Sequence, residues 1–371
     1  MSKPWVSLSL GLAVGTSCFG LWWLSRRRRR QLHCGASLAG PERAWARESK
    51  KVWAKLGEAP WAKRHDFSAA AFRGGVIVVG GYSGRRHNDC WWSTDGCQWN
   101  CVSAEEAAPW ARRMKHSVIA SSQGVYVLGG EGAAWKALND VWYLSAVDTD
   151  GWKQVSQAAP WAPRCSFAAV LREGKDVENQ EQVIVLGGAA GRNVLDTLWT
   201  GSPQQLGLKK SAASKAPWGA RRGQAAVALP NAHVLVMGGR NGTGAPLNDV
   251  WWSCDGERWV QLSDAPWPPR CSTAVACIPQ PDGSAVLLLC GGLGAGGTLL
   301  GDTWSLRVDA PFSEEAFQKA RWNCECETSP WNARAGHAMA WAADASLVLL
   351  MGGVTVSGTP LNDVWAWTSA R

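Results

Sequence analysis

Residues 248–259 read NDVWWSCDGERW and place three tryptophans beside three acidic side chains. Carboxylates next to aromatic rings could form a catalytic site in which two carboxyl groups in different environments act as acid and base. The same residues could instead belong to the framework that holds the fold together. The distinction depends on whether this stretch occurs once or recurs along the chain.

A second pattern with chemical potential, Pro-Trp-x-x-Arg, occurs six times at intervals of 49, 51, 57, 49 and 64 residues. Its arginines are Arg64, Arg113, Arg164, Arg221, Arg270 and Arg334. A guanidinium group offers paired N–H donors to a carboxylate, so a ring of six could bind an acidic peptide. Alternatively, each arginine pairs with a carboxylate of its own unit and contributes only to the structure.

The order of residues inside each unit is constant. An aliphatic run ends in a glycine pair, as in VIVVGG at 76–81, and a variable loop then leads to an Asp-Trp motif. In the third unit, LDTLW at 195–199, we interpret this motif as carrying one extra residue. The recurrent aspartates are then Asp89, Asp140, Asp196, Asp249, Asp302 and Asp363. Apolar runs and Asp-Gly turns predict four short strands per unit, which is typical of a propeller blade.

The glycine pair, the following N-D-V-W and the later tryptophan resemble the blade pattern of the kelch family of β-propellers. The resemblance covers residues 51–371 and implies an all-β fold with six blades. The last unit stops at NDVWAWTSAR without a fourth strand, and KVWAKLGEAPW at 51–61 matches the missing piece. We therefore expect the N-terminal segment to close the ring, with Trp53 in the same column as Trp99 and Trp259. SEEAFQKA at 313–320 predicts a helical insertion in the fifth blade, and the third blade has a degenerate outer strand.

Recurrence favours a packing role for the tryptophans and a loop-bonding role for the aspartates, because one copy per blade is what a framework requires. The alternative for the tryptophans is an exposed ring that stacks on sugars, for which the proline-linked column is the candidate. The opening stretch is therefore interpreted as one sixth of a scaffold.

The non-repeated loop residues are stronger candidates for contact with a partner, because they are not needed to build a blade. The kelch resemblance implies that the loop entering the innermost strand and the loop after the glycine pair share one face, near the central channel. On the second set of loops the candidates are Arg85, Arg86, His87, Arg192 and Arg240.

No catalytic residue, metal ligand set or cofactor motif is identified. The twelve cysteines include no C-x-x-C pair, which favours free thiols. His116 and His337 occupy equivalent positions in two units, but no tyrosine and cysteine accompany them in the manner of galactose-oxidase relatives.

The net charge of +8 is concentrated at the N-terminus. Residues 1–50 hold nine basic and two acidic side chains, whereas the remaining residues hold 29 basic and 28 acidic side chains.

Residues 4–24 are uncharged, and as a helix they would span about 30 Å, the thickness of a bilayer core. Arg26–Arg30 follow directly. This predicts a transmembrane anchor at 1–25, a basic linker at 26–50 and a propeller at 51–371, facing the cytosol by the positive-inside rule. A signal or organelle-targeting segment, with the propeller in a secretory lumen or organelle, is the alternative.

We therefore expect a membrane-tethered, monomeric and non-catalytic scaffold at the endoplasmic reticulum or outer mitochondrial membrane. It would bind a protein partner, with an acidic peptide segment as the expected epitope, and no nucleic acid, because the body lacks a basic patch interleaved with aromatics. A carbohydrate-binding protein or sugar-modifying enzyme on the same propeller is the alternative function.

Overall fold

A computed structural model describes residues 51–104, 108–145, 151–173, 181–203, 209–210 and 215–369. The described chain contains six antiparallel sheets of four strands. Five are each formed by one repeated unit, and the sixth combines the last unit with the N-terminal strand. Strand β1 (Lys51–Glu58) comes first in the chain. The predicted all-β propeller of six blades is confirmed.

The first two blades have regular strands. The first contains β2 (Ser68–Phe72), β3 (Gly75–Tyr82), β4 (Arg86–Ser93) and β5 (Asn100–Ser103). The second contains β6 (Ser117–Ala120), β7 (Val125–Glu131), β8 (Ala137–Leu144) and β9 (Trp152–Ser156), with a short 3-10 turn at Ala133–Trp135.

The third and fourth blades have shorter strands and small ribbons at one end. The third contains β10 (Ala168–Arg172), β11 (Gln182–Leu186), the ribbon β12 (Ala189–Ala190) and β13 (Asn193–Val194), then β14 (Leu198–Gly201) and β15 (Lys209–Lys210). The fourth contains β16 (Arg221–Arg222), β17 (Ala225–Ala228), β18 (Val234–Met237), β19 (Arg240–Asn241), β20 (Val250–Ser253) and β21 (Val260–Gln261), with a 3-10 turn at Pro230–Ala232.

The last two blades contain the longest strands. The fifth contains β22 (Ala274–Pro279), β23 (Ala285–Leu293), β24 (Leu299–Val308) and β25 (Trp322–Cys326), with a 3-10 turn at Ala295–Gly297. Helix α1 (Glu314–Lys319) lies between β24 and β25 and is capped by the Ser313 side chain, as the predicted insertion required. The sixth contains β26 (Ala338–Ala342), β27 (Leu347–Val354) and β28 (Pro360–Ser369).

The N-terminal strand closes the ring. In the sixth blade the strand order is β1-β28-β27-β26, and β1 pairs antiparallel with β28 so that Trp53 faces Trp367. The indole N–H of Trp53 donates to Thr303 Oγ1 in the fifth blade at 2.9 Å. Closure by the strand at 51–58 is therefore confirmed, and β28 is paired on both of its edges.

The glycine pair that ends each second strand is required by a close approach of main chains. In the first blade Gly80 and Gly81 have φ values of 60° and 108°, in the region that favours glycine. A Cβ on Gly81 would lie 2.7 Å from Phe67 Cβ, because the segment entering the innermost strand packs directly against it. The second strands themselves are buried along nearly their full length, as their apolar sequences predict.

No helix among the described residues is both long and apolar enough to span a bilayer. The predicted anchor at residues 4–24 and the linker at 26–50 lie outside the described residues.

Replacing Trp53 by alanine should destabilise the protein by about 3–5 kcal/mol, because the substitution leaves a large cavity in the closing blade. Trp53 is 8% exposed, whereas Trp135 is 64% exposed and provides the matched control. Urea unfolding of Trp53→Ala and Trp135→Ala measures the difference. Equal loss of stability in the two variants would contradict closure of the ring by β1.

Candidate functional site

Each repeat arginine joins two neighbouring blades through its main chain. The Arg113 N–H donates to the His87 carbonyl in the first blade at 3.0 Å, and the Arg113 carbonyl accepts from Gly81 N at 2.9 Å. The same pair of bonds recurs at the five other arginines. The segment entering a blade is thereby fixed to the preceding one.

The side chain of the same arginine bonds to its own blade. In the fifth blade Arg270 donates to both carboxylate oxygens of Asp302, at 2.7 and 2.6 Å, and to the Gly291 carbonyl at 2.9 Å. The indole N–H of Trp304 donates to the second oxygen of Asp302 at 2.7 Å. We call this arrangement the Arg–Asp–Trp triad. It is formed by Arg64–Asp89–Trp91, Arg113–Asp140–Trp142, Arg221–Asp249–Trp251, Arg270–Asp302–Trp304 and Arg334–Asp363–Trp365.

The six repeat arginines are buried and do not form an open ring for a partner. Their side chains are among the most completely buried in the described chain, with an exposed fraction of 0–1% for each residue. Of the two alternatives set out for Arg64, Arg113, Arg164, Arg221, Arg270 and Arg334, the structure shows bonding within the blade. The physical reason is that an interior guanidinium group needs acceptors on every side.

Three of the triad carboxylates are held in the charged form. Burial opposes the ionisation of Asp89, Asp140 and Asp363, but the hydrogen-bonded arginine outweighs it and keeps the pKa of each below its usual value. Such carboxylates are framework groups rather than general bases poised near neutral pH.

The third blade corrects the sequence interpretation of its aspartate. The residue two positions before the third-strand tryptophan is Thr197, not Asp196, and no extra residue is present. Asp196 takes the place that asparagine holds in other blades: its carbonyl accepts from Ala216 N, as the Asn248 carbonyl accepts from Ala265 N. Its carboxylate lies 3.5 Å from Lys215 Nζ. Arg164 therefore has a hydroxyl, the Thr197 side chain, where the others have a carboxylate.

The proline-linked tryptophans do not form exposed platforms for sugars. Trp61, Trp110, Trp161, Trp267 and Trp331 are buried, and Trp218 is half-buried. Trp61 packs edge-on against Trp99 of the outer strand with ring centroids 4.3 Å apart, and Trp218 does the same with Trp259 at 4.7 Å. The packing role is confirmed, although the indole nitrogens of this column have no hydrogen-bond partner among the described residues.

The two sets of loops named from the resemblance meet on one face, as expected. His65 pairs with Tyr82, Met114 with Glu131, and Cys271 with Leu293, so the residue after each arginine contacts the residue after the glycine pair. Two segments of each blade form this surface: the one from the repeat arginine to the innermost strand, and the loop between the second and third strands. We call this surface the loop face.

Arg86 belongs to an aromatic and ionic cluster on the loop face. It donates to Glu131 Oε1 at 2.8 Å, and its guanidinium carbon lies 4.6 Å from the centroid of the Trp135 ring. Trp135 is 64% exposed and was not identified from the sequence. The signal that could have found it is its loop position outside the three tryptophan columns.

The other non-repeated candidates divide by burial. Arg85 and Arg192 are exposed and Arg240 is half-buried, which places them at the surface of the loop face. His87 is 1% exposed and its Nε2 lies 2.7 Å from Ser83 Oγ, so the ring is not presented to solvent. The prediction of a surface role is therefore corrected for His87.

The loop face is basic on one side only. Its first four blades contribute cations outside the repeat positions, namely Arg85, Arg86, Lys115, Lys136, Arg192, Arg222 and Arg240. Asp66, Glu131 and Asp196 are the acidic side chains there, and Glu131 is bonded to Arg86. The corresponding loops of the fifth and sixth blades, at 294–298 and 355–359, contain no charged side chain.

A ring of six main-chain hydrogen bonds surrounds the centre of the loop face. The residue two after each arginine adopts the left-handed conformation and donates its N–H to the equivalent carbonyl of the preceding blade, at 2.7–3.1 Å. These residues are Asp66, Lys115, Ser166, Gly223, Ser272 and Gly336. They line a cavity of about 110 Å³ together with the residues that follow them.

His116 and His337 are buried beside this cavity. Burial, aided by Arg113 and Arg334 respectively, lowers the pKa of each histidine to about 3. The Val79 carbonyl lies beside His116, but neither ring nitrogen makes a hydrogen bond of normal geometry with a described residue. Gln224 occupies the equivalent position in the fourth blade and donates to the Leu186 carbonyl at 2.7 Å.

The described residues contain no cluster of three or more side chains suited to hold a metal ion. The ten cysteines among them are free thiols. Burial raises the pKa of the Cys277 thiol to about 12, which makes it unreactive at neutral pH.

Removing one triad carboxylate should destabilise the protein by about 3–5 kcal/mol, because the substitution leaves a buried guanidinium group without its counter-ion. Asp302→Ala tests this by urea unfolding, with the exposed Asp264→Ala as control. Equal stability of the two variants would show that the triads are not needed to hold the blades.

The double variant His116→Gln, His337→Gln should be less sensitive to acid than the wild-type protein. A histidine with a folded pKa of about 3 is protonated first in the unfolded chain, whose value is about 6.5, so stability falls as the pH drops between these values. Each histidine contributes a slope of about 1.4 kcal/mol per pH unit. Unfolding between pH 4.5 and 6 measures the slope, and an unchanged slope would refute the assignment.

A family model, the KLHDC2/KLHL20/DRC7 Kelch-repeats domain, matches residues 64–266, more than half of the chain. An F-box/kelch-repeat protein of Arabidopsis thaliana is 29% identical over 200 residues, which are 50% of this chain and 39% of that protein. The chain therefore matches well under half the length of this curated relative.

The solved structure of YjhT superimposes with a TM-score of 0.64 at 15% sequence identity, covering 85% of this chain and 97% of that one. This similarity concerns the fold alone. Together with the six blades and the family match over more than half of the sequence, it leads to one conclusion: the chain belongs to the kelch-repeat family of β-propellers.

Proposed function

We propose that this propeller is a non-catalytic interaction scaffold that binds an acidic segment of a partner protein on the loop face of blades one to four. The observation that carries the proposal is Trp135, an exposed indole ring within a basic surface. Kelch-repeat domains generally bind protein partners, and tryptophan and arginine are the residues most enriched at the energetic centres of protein interfaces.

Charge supports an acidic partner. The cations of blades one to four outnumber the carboxylates on the same surface, and one of those carboxylates is already bonded to Arg86. Arg86 is ordered by both Glu131 and Trp135, so little side-chain entropy is lost when it meets a carboxylate. The uncharged loops of blades five and six would contact an apolar or uncharged part of the same segment.

Binding of fluorescent peptides tests the proposal. A glutamate-rich peptide should bind more tightly than a neutral peptide of equal length, and its affinity should fall as salt is added. The triple variant Arg86→Glu, Arg192→Glu, Arg240→Glu should bind the acidic peptide at least about tenfold more weakly, because like charges then oppose the ligand.

The matched control reverses two arginines at the opposite ends of the strands, in Arg73→Glu, Arg258→Glu. This control should bind as the wild type does. The scaffold proposal fails if the acidic peptide shows no preference, or if both sets of variants bind alike. Quenching of tryptophan fluorescence by members of a glycan panel, without peptide binding, would favour the carbohydrate-binding alternative.

We also propose that residues 4–24 tether the propeller to a membrane, with the propeller in the cytosol. The uncharged run and the Arg26–Arg30 cluster that follows it support this orientation. The proposed membrane is that of the endoplasmic reticulum or the outer mitochondrial membrane.

The full chain should remain in the membrane pellet after alkaline carbonate extraction, whereas a chain lacking residues 1–50 should be released. Protease added to intact organelles should digest the propeller. Asn241 starts an N-x-T sequon in a surface loop and reports the alternative. A glycosidase-sensitive shift that Asn241→Gln abolishes would place the propeller in the lumen instead.

A further inference from the structure

The third blade retains two donors of the Arg–Asp–Trp triad but lacks its acceptor. In the other five blades a carboxylate bonds to the repeat arginine and to the third-strand tryptophan at the same time. In the third blade the equivalent residues are Arg164, Thr197 and Trp199. A threonine hydroxyl carries no charge, so this blade differs from the others in electrostatics as well as in shape.

Arg164 is a buried cation without a carboxylate among the described residues. It is 1% exposed, and it donates to the carbonyls of Ala162 and Gly187 at 3.2 and 2.8 Å and to Thr197 Oγ1 at 3.1 Å. All three acceptors are neutral. Burial lowers the pKa of Arg164 to about 10, so the guanidinium group is still charged at neutral pH. An interior charge of this kind requires a counter-ion.

Trp199 also lacks the acceptor that its counterparts share with the repeat arginine. Its indole nitrogen is buried and makes no hydrogen bond within the described chain, whereas the equivalent nitrogens of the five other blades donate to a carboxylate at 2.7–2.8 Å. Asp196 does not replace the missing acceptor, because its carboxylate faces Lys215. Arg164, which bonds only to neutral acceptors, and Trp199 Nε1, which has no partner in the described chain, are thus the pair that shares one carboxylate in the other blades.

We propose that the third blade binds a small inorganic anion of the chloride class between the Arg164 guanidinium and the Trp199 indole N–H. The anion takes the position that an aspartate carboxylate holds in the other blades. A threonine side chain ends one bond short of the carboxylate oxygens of an aspartate, and a gap of that size suits a monatomic ion rather than a large organic acid. Thr197 and Trp199 are only half-buried, so the ion can enter from solvent.

Thermal unfolding of the full chain at constant ionic strength tests this site. An anion that binds only the folded state raises the ratio of folded to unfolded protein by the factor 1 + [anion]/Kd, which is about tenfold when chloride is about ten times the Kd. The midpoint should therefore be higher in sodium chloride or bromide than in sodium gluconate, whose anion is too large for the position.

Thr197→Asp is the decisive variant, because it installs the sixth triad. Its midpoint should exceed that of the wild-type protein in gluconate and should be the same in gluconate and in chloride. Thr197→Asn, which has a similar shape but no charge, should retain the dependence on chloride. The reciprocal variant Asp302→Thr should lower the midpoint in gluconate and acquire a dependence on chloride in the fifth blade.

A crystal grown in bromide gives a direct measurement that does not depend on the stability of any variant. An anomalous peak within contact distance of the Arg164 guanidinium and Trp199 Nε1 is the expected result. The proposal is overturned if the wild-type midpoint is the same in chloride and gluconate, if Thr197→Asp responds to chloride as the wild type does, or if bromide is absent from this position.

Discussion

The fold depends on one interaction repeated around the ring, the buried arginine that joins each blade to the one before it. The main chain of the arginine bonds to the preceding blade, and in five of the six blades its side chain bonds to a carboxylate near the start of the third strand of its own blade. A tryptophan shares that carboxylate, and in four blades a second tryptophan, directly after the proline, lies under the guanidinium group at 5.4–5.8 Å. The charge is tolerated in the interior of these blades because the guanidinium group bonds both to a carboxylate and to a main-chain carbonyl.

This framework separates structure from function within each repeat. The residues that recur are used in packing, as the burial of the arginines and of the proline-linked tryptophans shows. Variation between blades is concentrated in the loops between second and third strands, where a change of charge does not disturb the packing of the core. The loop face has consequently become basic over blades one to four and remained uncharged over blades five and six.

The third blade is where the framework is least regular. Within the described chain its outer strand consists of Lys209–Lys210, which pairs with Trp199 and Thr200, and the sequence has no tryptophan for the outer column there. The same blade has Thr197 in place of the carboxylate. The anion proposed beside Arg164 would stabilise this blade without an additional side chain.

Much of this architecture is determined by the sequence alone. The period of the glycine pairs and tryptophans specifies six blades of four strands, and the mismatch between first and last units specifies that residues 51–58 close the ring. These features can be predicted because each depends on a local sequence pattern: an apolar strand, a glycine where φ must be positive, or an Asp-Gly turn.

Whether the repeat arginines pack inside the blades or bind a partner does not depend on local sequence. The repeat arginines are interior because their aspartates, 25 to 32 residues further along the chain, are brought to them by the pairing of strands. For the same reason only the tertiary structure showed that Thr197 bonds to Arg164, that Trp135 is exposed beside Arg86, and that six left-handed residues form a hydrogen-bonded ring. Each is a contact between segments distant in sequence, and no periodicity encodes which side chains will meet.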